Sequence, residues 1–407
     1  MAQNPTSVVI VGGGLAGAKT AEALREQGYA GPVTLVSAED QLPYERPPLS
    51  KGYLAGKDAF DDAVVHPAEW YAEHDVTLRL GTEVAAVHPD DSAVELAGGE
   101  RLEYGALVLA TGSAPRRLPI PGADTALTLR TRADSDAIRA TFGDGKRLVI
   151  VGAGWIGLEV AAAARDKGTT VTVLESADLP LLAVLGREMA TVFADLHREH
   201  GVDLRFGVSV AEIAADGVRL ADGAFVPADA VLLGVGAAPR TELAERAGLD
   251  TENGVLVDAS LRTSDPAIWA VGDIASQDHP VLGRRVRVEH WATALNQPAV
   301  AAAAILGTGT DGSSAYTELP YFFSDQYDLG MEYVGLAGPD ARVVTRGDVA
   351  AREFVAFWLD GDDHVLASMN VNVWDVVDEI KPLISERRPV DVAKLTDAEV
   401  PYAEVGR

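Results

Sequence analysis

The sequence has 407 residues, of which 47% are hydrophobic and 23% charged, and its formal net charge is −27. This length and hydrophobic content predict two or three globular domains and exclude a mostly disordered chain. The negative charge repels phosphate backbones, so nucleic acid is not expected as a partner. The absence of cysteine excludes disulfides, thiolate metal sites, iron–sulfur clusters held by this chain and thiol-based catalysis.

No apolar run approaches the roughly 20 residues that a membrane-spanning helix needs. The longest candidate, residues 299–306, has the length of a helix buried in a protein core. The amino terminus has no basic region before its first apolar run, so a secretory signal is not expected. We therefore predict a cytoplasmic protein that does not associate with membranes.

The first informative segment is a glycine-rich turn between an apolar strand and a helix. Gly12, Gly14 and Gly17 have the spacing G-x-G-x-x-G, and a helix-forming run follows over residues 18–27. The next apolar run ends at Glu39, which can accept hydrogen bonds from ribose hydroxyls. In this pattern the first glycine permits a tight turn, the second lets the backbone approach a pyrophosphate, and the third lets the helix pack closely on the strand. The helix amino terminus attracts the phosphates, so the segment predicts a dinucleotide site.

The same pattern occurs again over residues 147–175. Gly152, Gly154 and Gly157 are followed by a helix and by a strand that ends at Glu175. Two complete patterns predict either two dinucleotides or one long-lived dinucleotide cofactor and one that exchanges.

The remaining segments predict a nested arrangement. Strand-like runs at 105–119, 229–243 and 263–275 flank the second glycine pattern, which places it between two halves of the first domain. Alternating aromatic and β-branched residues at 353–361 and 364–372 predict an antiparallel hairpin.

A helix is predicted over residues 375–386, after that hairpin. The predicted fold class is α/β, with two nested Rossmann-like dinucleotide-binding domains and a C-terminal α+β domain. The predicted bounds are 1–115 with 245–319 for the first domain, 116–244 for the second and 320–407 for the third.

Five segments resemble a known family more specifically than the glycine turns do. They are 44-YERPPLSK-51, 129-LRT-131, 268-IWAVGDIA-275, 289-EHWATALNQ-297 and 320-PYFFSDQYD-328. With them the whole chain resembles the FAD-dependent, NAD(P)H-using ferredoxin reductases of bacterial oxygenase systems, the putidaredoxin and rhodocoxin reductase type.

The resemblance implies that the first domain binds FAD and the second receives the nicotinamide coenzyme. Arg46 and Lys51 would lie along the flavin, Asp273 would bind the ribitol or a phosphate-side hydroxyl, and Trp291 would lie at the pyrimidine edge. The implied cofactor-binding residues are Gly12, Gly14, Leu15, Ala16, Gly17, Glu39, Arg46, Lys51, Val84, Ala110, Thr111, Gly112, Arg130, Gly272, Asp273, Glu289, His290, Trp291, Phe323, Gly152, Gly154, Trp155, Ile156, Gly157, Glu175 and Gly236.

Glu159 stands in an otherwise apolar helix turn, where a carboxylate needs a partner. The resemblance implies an ion pair between Glu159 and Lys51 beside the isoalloxazine, and these two are the predicted catalytic residues. The alternative is a partly solvated glutamate on the helix surface.

The sequence departs from the family in two places. Phe323 stands where the family often has a tryptophan, so the ring has no indole N–H. Glu39 stands one residue after the position at which some relatives have aspartate, which leaves the ribose contact open.

The implied chemistry is transfer of a hydride from NADH to N5 of FAD, followed by release of single electrons to an iron–sulfur ferredoxin. Such a ferredoxin would supply an oxygenase such as a cytochrome P450. Without cysteine no thiol can relay these electrons. Glu175 repels a 2′-phosphate, and residues 176–182 contain no lysine or arginine to bind one, so NADH is preferred over NADPH.

Ferredoxins are commonly acidic, so this acidic chain would need a local basic surface. Arg284, Arg285 and Arg287 are the first candidate and Arg387 with Arg388 the second, although all five can be ordinary solvated arginines. Two other functions stay open, a flavin-dependent NADH oxidase or quinone reductase and a non-catalytic flavin redox sensor. Monomer and homodimer are both compatible with the sequence.

Overall fold

The computed structural model describes residues 4–308 and 314–407. The chain forms two compact units, and each of them is built from three segments. Unit 1 takes in the chain up to Arg46, Phe60–Ala114 and Ala238–Pro320, and unit 2 takes in Pro47–Ala59, Pro115–Ala237 and Tyr321–Arg407. The second glycine pattern and the C-terminal segment thus fall in the same unit, and the bounds of three separate domains stay a prediction.

Unit 1 contains the first glycine pattern, one parallel sheet and two smaller sheets. Its helices are α1 (Leu15–Glu26), α2 (Ala68–Glu73), α6 (Glu242–Arg246) and α7 (Trp291–Leu306). Its strands are β1 (Val8–Val11), β2 (Val33–Val36), β3 (Val76–Arg79), β4 (Val84–His88), β5 (Ala93–Leu96), β6 (Arg101–Glu103), β7 (Ala106–Leu109), β17 (Thr251–Glu252), β18 (Gly254–Val257), β19 (Ile268–Ala270), β20 (Ala275–His279) and β21 (Arg284–Arg287). Strands β8 (Ser113–Pro115) and β16 (Ala237–Pro239) lie where the chain passes from one unit to the other.

The parallel sheet of unit 1 has the strand order β19-β7-β1-β2-β3. All four residues of β1 are buried, as expected for a parallel strand that is covered on both faces. α1 begins at Leu15, earlier than predicted, because the extended backbone of Gly14 caps it directly after the turn. β2 ends at Val36, so Glu39 lies in the following loop rather than in the strand.

Unit 2 contains the second glycine pattern and the C-terminal sheet. Its helices are α3 (Arg132–Arg139), α4 (Trp155–Asp166), α5 (Leu182–Glu199), α8 (Val377–Ser385) and α9 (Val392–Thr396). Its strands are β9 (Arg147–Val151), β10 (Thr170–Leu174), β11 (Asp203–Arg205), β12 (Val210–Ala214), β13 (Gly217–Leu220), β14 (Phe225–Pro227), β15 (Ala230–Leu233), β22 (Tyr321–Gln326), β23 (Leu329–Gly335), β24 (Arg342–Asp348), β25 (Glu353–Leu359) and β26 (Val365–Val371).

Two sheets organise unit 2. β11-β10-β9-β15 is parallel, and β22-β23-β26-β25-β24 is antiparallel. The predicted hairpin is present as β25 and β26, and α8 lies within the predicted helix. Because both glycine patterns belong to parallel sheets and an antiparallel sheet follows them, the predicted fold class is confirmed. Within the described residues, no helix combines the length and apolarity that crossing a bilayer requires.

β22 presents its two faces to different surroundings, because successive side chains on a strand point to opposite sides. Phe322, Ser324 and Gln326 are buried, whereas Asp325 is exposed. The strand lies against α4, so its inward side chains meet the helix that follows the second glycine turn.

Candidate functional site

In the first glycine turn, each of the three positions is occupied by glycine for a different structural reason. Gly12 has φ +126°, and a Cβ there would lie 2.1 Å from the carbonyl oxygen of Ala110. A Cβ at Gly17 would lie 1.9 Å from the carbonyl oxygen of Gly12, so the helix and the turn touch backbone to backbone. At Gly14 a Cβ would meet no atom within 4 Å. The turn is therefore closed at its first and third glycines and open at the second, where a pyrophosphate needs access.

The amino terminus of α1 is suited to an anion. Its first turn contains no acidic residue, and no side chain caps it. Leu15 and Ala16 are buried in this turn, so backbone N–H groups and the helix dipole are what the helix end presents. This end of unit 1 fits the pyrophosphate of a dinucleotide.

Glu39 is held by two donors of unit 1. The Tyr44 hydroxyl donates to Oε2 at 2.6 Å, and the Arg46 guanidinium forms an ion pair with Oε1 at 2.6 Å. Arg46 also lies over the Tyr44 ring, 4.4 Å from its centroid. The carboxylate is thus oriented after β2 by partners that the sequence analysis did not assign to it.

Gly272 and Asp273 come close to the first glycine turn. Gly272 has φ +76°, and a Cβ there would lie 3.1 Å from the Cβ of Ala16. Its N–H donates to Oε1 of the Gln297 side chain at 2.8 Å. Asp273 accepts a hydrogen bond of 2.7 Å from the hydroxyl of Ser113. The motif therefore lies beside the amino-terminal turn of α1, as a shared cofactor site requires.

The segment before α7 is held by polar contacts within unit 1. The Trp291 indole donates to Oε2 of Glu45 at 2.9 Å, so the family motif around 44–51 contacts the start of α7. Arg287 donates to the Asp273 carbonyl at 3.2 Å and pairs with Glu289, and its side chain is only 9% exposed. Burial lowers the pKa of His290 to about 4, against a weaker upward effect of Asp273.

The other residues implied for unit 1 lie at the start of β4 or directly after β7. Val84 is buried at the start of β4. Ala110 directly follows β7 and is buried, and it supplies the carbonyl that Gly12 approaches. The Thr111 hydroxyl donates to the Arg240 carbonyl at 3.0 Å, and the Gly112 carbonyl accepts from the Arg240 N–H at 2.9 Å.

The second glycine turn, in unit 2, repeats the geometry of the first. Gly152 has φ +100°, and a Cβ there would lie 2.4 Å from the Gly234 carbonyl oxygen. A Cβ at Gly157 would lie 2.4 Å from the Gly152 carbonyl oxygen, whereas at Gly154 the nearest atom would be 3.9 Å away. The second turn is therefore also open at its middle glycine.

Glu175 is fixed by backbone donors. Its carboxylate accepts from the N–H of Ala153 at 2.7 Å and from the N–H of Ala177 at 2.9 Å. Ala153 belongs to the second glycine turn, so this contact ties the acid at the end of β10 to the turn that precedes α4. Such an orientation suits contact with a ribose beside the pyrophosphate.

The remaining residues predicted around the second turn differ in exposure. Trp155 packs edge-on against Phe193 and Phe322, at centroid distances of 5.4 and 5.0 Å. Ile156 is 46% exposed. Gly236 has φ +94° just beyond β15. The N–H of Arg130 donates to Asp134 at 3.0 Å, at the start of α3.

The predicted ion pair between Lys51 and Glu159 is confirmed within unit 2. Nζ of Lys51 lies 2.8 Å from Oε1 of Glu159, and the glutamate side chain is 4% exposed. The hydroxyls of Ser50 and Ser324 also donate to this carboxylate, the latter at 2.6 Å. The alternative of a solvated helix glutamate is therefore wrong. Three donors offset the cost of burying the charge.

Phe323 lies next to this pair. Nζ of Lys51 is 5.2 Å from the centroid of its ring, within the range of a cation–π contact. The ring thus retains an aromatic face toward the ammonium. The sequence analysis missed Ser50 and Ser324, although both lie within segments that carry the family resemblance. The strand alternation of β22 could have indicated that Ser324 points inward with Phe322.

The family models match almost the whole chain. Residues 6–298 match the model described as pyridine nucleotide-disulphide oxidoreductase, and residues 321–405 match the reductase C-terminal model.

Curated relatives are similar along nearly their entire length. The ferredoxin–NAD(+) reductase component of the anthranilate 1,2-dioxygenase system of Burkholderia cepacia is 42% identical, covering 96% of this chain and 97% of the relative. Putidaredoxin reductase of Pseudomonas putida is 39% identical, covering 98% of this chain and 96% of the relative. Among solved structures, the covalent putidaredoxin reductase–putidaredoxin complex matches with a TM-score of 0.93 at 38% identity, covering 100% of this chain and 98% of the matched one.

Proposed function

Because the chain belongs to the pyridine nucleotide-disulphide oxidoreductase family, we propose that it is the ferredoxin reductase of an oxygenase system, with NADH as electron donor and FAD as resident cofactor. The observation that carries this proposal is the pair of glycine turns, each closed by backbone contacts and open at its middle glycine. The chain has no cysteine, so the disulphide chemistry in the family's name has no thiol here. Electrons must therefore leave directly for an external acceptor, which in the relatives named above is a ferredoxin.

FAD fits the first turn on the evidence of unit 1. Gly14 leaves the space that a pyrophosphate needs, the end of α1 presents N–H groups, and Glu39 presents an oriented carboxylate to a ribose. When bound, FAD supplies the chemistry that this chain's side chains lack, since it accepts a hydride and releases electrons singly. Asp273 and Trp291 are the residues of unit 1 that we propose for the ribitol and the pyrimidine edge.

Lys51 is proposed to hold a positive charge beside the flavin. Glu159 fixes the ammonium from one side, and the ring of Phe323 contacts it from another. A cation held in a defined place and shielded from water stabilises nearby negative charge more strongly than a mobile surface lysine does.

NADH is proposed for the second turn. Glu175 is oriented by Ala153 and Ala177, and its charge disfavours a 2′-phosphate. Arg187, which lies beyond the loop considered in the sequence, forms an exposed ion pair of 3.3 Å with Asp178. Arg187 is thus already paired with an acid.

The test is to mix the purified protein anaerobically with NADH or with NADPH and to follow flavin absorbance. We expect rapid bleaching by NADH and bleaching at least tenfold slower by NADPH, since placing like charges together costs more than the roughly 1.4 kcal/mol that a factor of ten represents. Glu175→Gln should reduce this difference because it removes the repulsion, whereas the matched exposed-residue control Glu188→Gln should not.

The outcomes separate the competing functions. A protein without flavin contradicts the proposal. Flavin that neither coenzyme reduces also contradicts it and favours a flavin redox sensor. Turnover with oxygen or a quinone but not with a ferredoxin contradicts the proposal that a ferredoxin is the electron acceptor. It favours an oxidase or quinone reductase.

A further inference from the structure

A buried series of hydrogen bonds continues from Glu159 through unit 2, and it begins at Ser324, which donates to the same oxygen, Oε1, as Lys51 does. Ser324 lies 2.6 Å from Glu159, Nε2 of Gln326 lies 3.1 Å from the Ser324 hydroxyl, and Nε2 of His197 lies 2.8 Å from Oε1 of Gln326. Ser324, Gln326 and His197 have exposed fractions of 0%, 1% and 0%. We call these three residues the donor chain.

The charge of Glu159 determines the direction of every bond in the donor chain. A carboxylate paired with an ammonium only accepts, so the Ser324 hydroxyl must donate to it. The lone pair of that hydroxyl then accepts from the Gln326 amide nitrogen, which leaves the Gln326 carbonyl as acceptor. His197 must therefore carry its proton on Nε2, and all three bonds point toward the carboxylate.

The far end of the donor chain is uncharged. Burial lowers the pKa of His197 to about 4, so the ring is neutral near pH 7. Its Nδ1 lies 3.4 Å from the Tyr327 hydroxyl, and the Tyr327 ring stacks on partly exposed His200 at 3.6 Å. A neutral donor adds hydrogen-bond energy without a second cation that would compete with Lys51 for Glu159.

Charged groups around the donor chain lie at its two ends. Lys51 and Asp325 interact electrostatically with each other beside Glu159. Arg165 and Asp166 act on Tyr327 at the other end, and His200 acts on His197.

Two secondary-structure elements bring the donor chain together. Ser324 and Gln326 are two residues apart on β22 and so share its inward face, next to Glu159 on α4. His197 lies in the last turn of α5 and meets Gln326 across 129 residues of sequence. Apolar side chains would fill the same positions without any desolvation cost, so stability alone does not account for this polar series.

We propose that Ser324, Gln326 and His197 are positioning residues for Lys51, which hold the Glu159 carboxylate in one orientation by a directed series of neutral hydrogen-bond donors. The proposal rests on the proposed function, because the reaction that benefits is electron entry from NADH into the flavin beside Lys51. It gives α5 and the inward face of β22 a positioning role that does not depend on their contacting a cofactor.

The main test uses Gln326→Met and His197→Phe in the flavin-bound protein, with Ser324→Ala as the smallest deletion if either larger change prevents folding. Each loses one or more bonds of the series, so we expect a rate of flavin reduction at saturating NADH that is roughly three- to tenfold lower. The NADH concentration for half-maximal rate should not change, because the second glycine turn is untouched. The flavin midpoint potential should become more negative, because a misplaced ammonium offsets less negative charge.

Two variants act as controls. His197→Gln keeps an N–H donor near the position of Nε2 and should restore most of the rate. His200→Phe makes the same ring substitution one turn away, outside the donor chain, and should leave rate and potential at the wild-type values.

A measurement without NADH tests the direction of the series. In protein labelled with ¹⁵N-histidine, His197 should show the Nε2-protonated tautomer near pH 7 and lose this preference in Gln326→Met. An Nδ1-protonated His197 in the wild type would overturn the proposal.

Unchanged rate and potential in Gln326→Met and His197→Phe, with lower thermal stability only, would also overturn it and leave the series as core packing. If NADH reduces no flavin in the wild type, the proposed function fails, whereas the tautomer measurement still decides the donor chain.

Discussion

At the scale of single residues, one buried carboxylate is surrounded by several hydrogen-bond donors. Glu159 accepts from one ammonium and two hydroxyls and is 4% exposed. Removing one partner of such a pair costs about 3–5 kcal/mol because the other charge is left buried, whereas exposed pairs contribute about 0–1 kcal/mol. Lys57 and Asp166, 3.9 Å apart and largely exposed, form a pair of the second kind in the same unit.

The pH dependence of stability should report the buried His197. Its pKa is about 4 in the folded protein and 6.5 in the unfolded chain, because burial disfavours the charged ring. Below pH 6.5 the unfolded chain binds a proton that the folded protein refuses until pH 4, so stability falls as the pH is lowered through this window. The loss from this residue is about 3 kcal/mol.

Urea unfolding of the flavin-bound protein between pH 7 and pH 4 measures this contribution. His197→Phe should flatten the decline in unfolding free energy by about that amount, while His200→Phe controls for the loss of a partly exposed ring in the next turn. An equally steep decline in both variants would show that other groups cause the acid sensitivity.

At the scale of secondary-structure elements, the two glycine turns combine close packing with an open position. The third glycine of each turn lets a helix approach the carbonyl of the first, and the middle glycine makes no comparable contact. Stability and ligand binding are therefore assigned to different glycines of the same short segment.

Matched alanine variants separate these roles in the first turn. Gly17→Ala places a Cβ 1.9 Å from the Gly12 carbonyl oxygen, so we expect destabilisation of about 1–3 kcal/mol or more. Gly14→Ala has room and φ −93°, so its stability should change by less than about 0.5 kcal/mol. FAD titration should instead show affinity weakened by about tenfold, because the methyl group occupies the approach path of the pyrophosphate.

Equal loss of stability in the two alanine variants would contradict this division. Gly98→Ala tests the effect of adding a methyl group elsewhere in unit 1, since a Cβ there also meets no atom within 4 Å.

At the scale of the whole molecule, a net charge of −27 opposes association with an acidic ferredoxin. The structure reduces the number of arginines that can contribute to the candidate basic surface. Arg287 is nearly buried and bonded internally, whereas Arg284 and Arg285 are exposed on β21. Arg285 also donates to the Val257 carbonyl at 3.0 Å. Arg284 and Arg285 are therefore the proposed contacts, because both remain exposed.

This surface can be tested by measuring the rate of ferredoxin reduction as a function of ionic strength. Arg284→Gln with Arg285→Gln should slow reduction by about tenfold at low salt, and the difference should vanish at high salt, because screening removes steering. Arg387→Gln with Arg388→Gln is the matched control and tests the second candidate surface. Unchanged kinetics and salt dependence in the first variant would exclude β21 as a docking site.

The pairing of Lys51 with Glu159 was implied by the family resemblance. The two dinucleotide-binding folds, the acidic residue after each and the lack of thiol chemistry could be predicted from the residues alone. These depend on local backbone requirements, on composition and on motifs that lie within short segments. The observed helix starts and strand ends differ from the predicted ones by a few residues, as at Leu15 and Val36, because helix caps and sheet pairing determine where an element begins and ends.

The polar residues that surround those motifs depend on how the whole chain folds. Ser324 reaches Glu159 across 165 residues, and His197 reaches Gln326 across 129. In the folded chain, Arg287 also bonds to Asp273 and Glu289. Such contacts arise from the packing of distant strands and helices, and residue spacing along the chain does not encode them. Folding brings distant hydrogen-bond partners together, and these partners allow a hydroxyl or an imidazole to be buried.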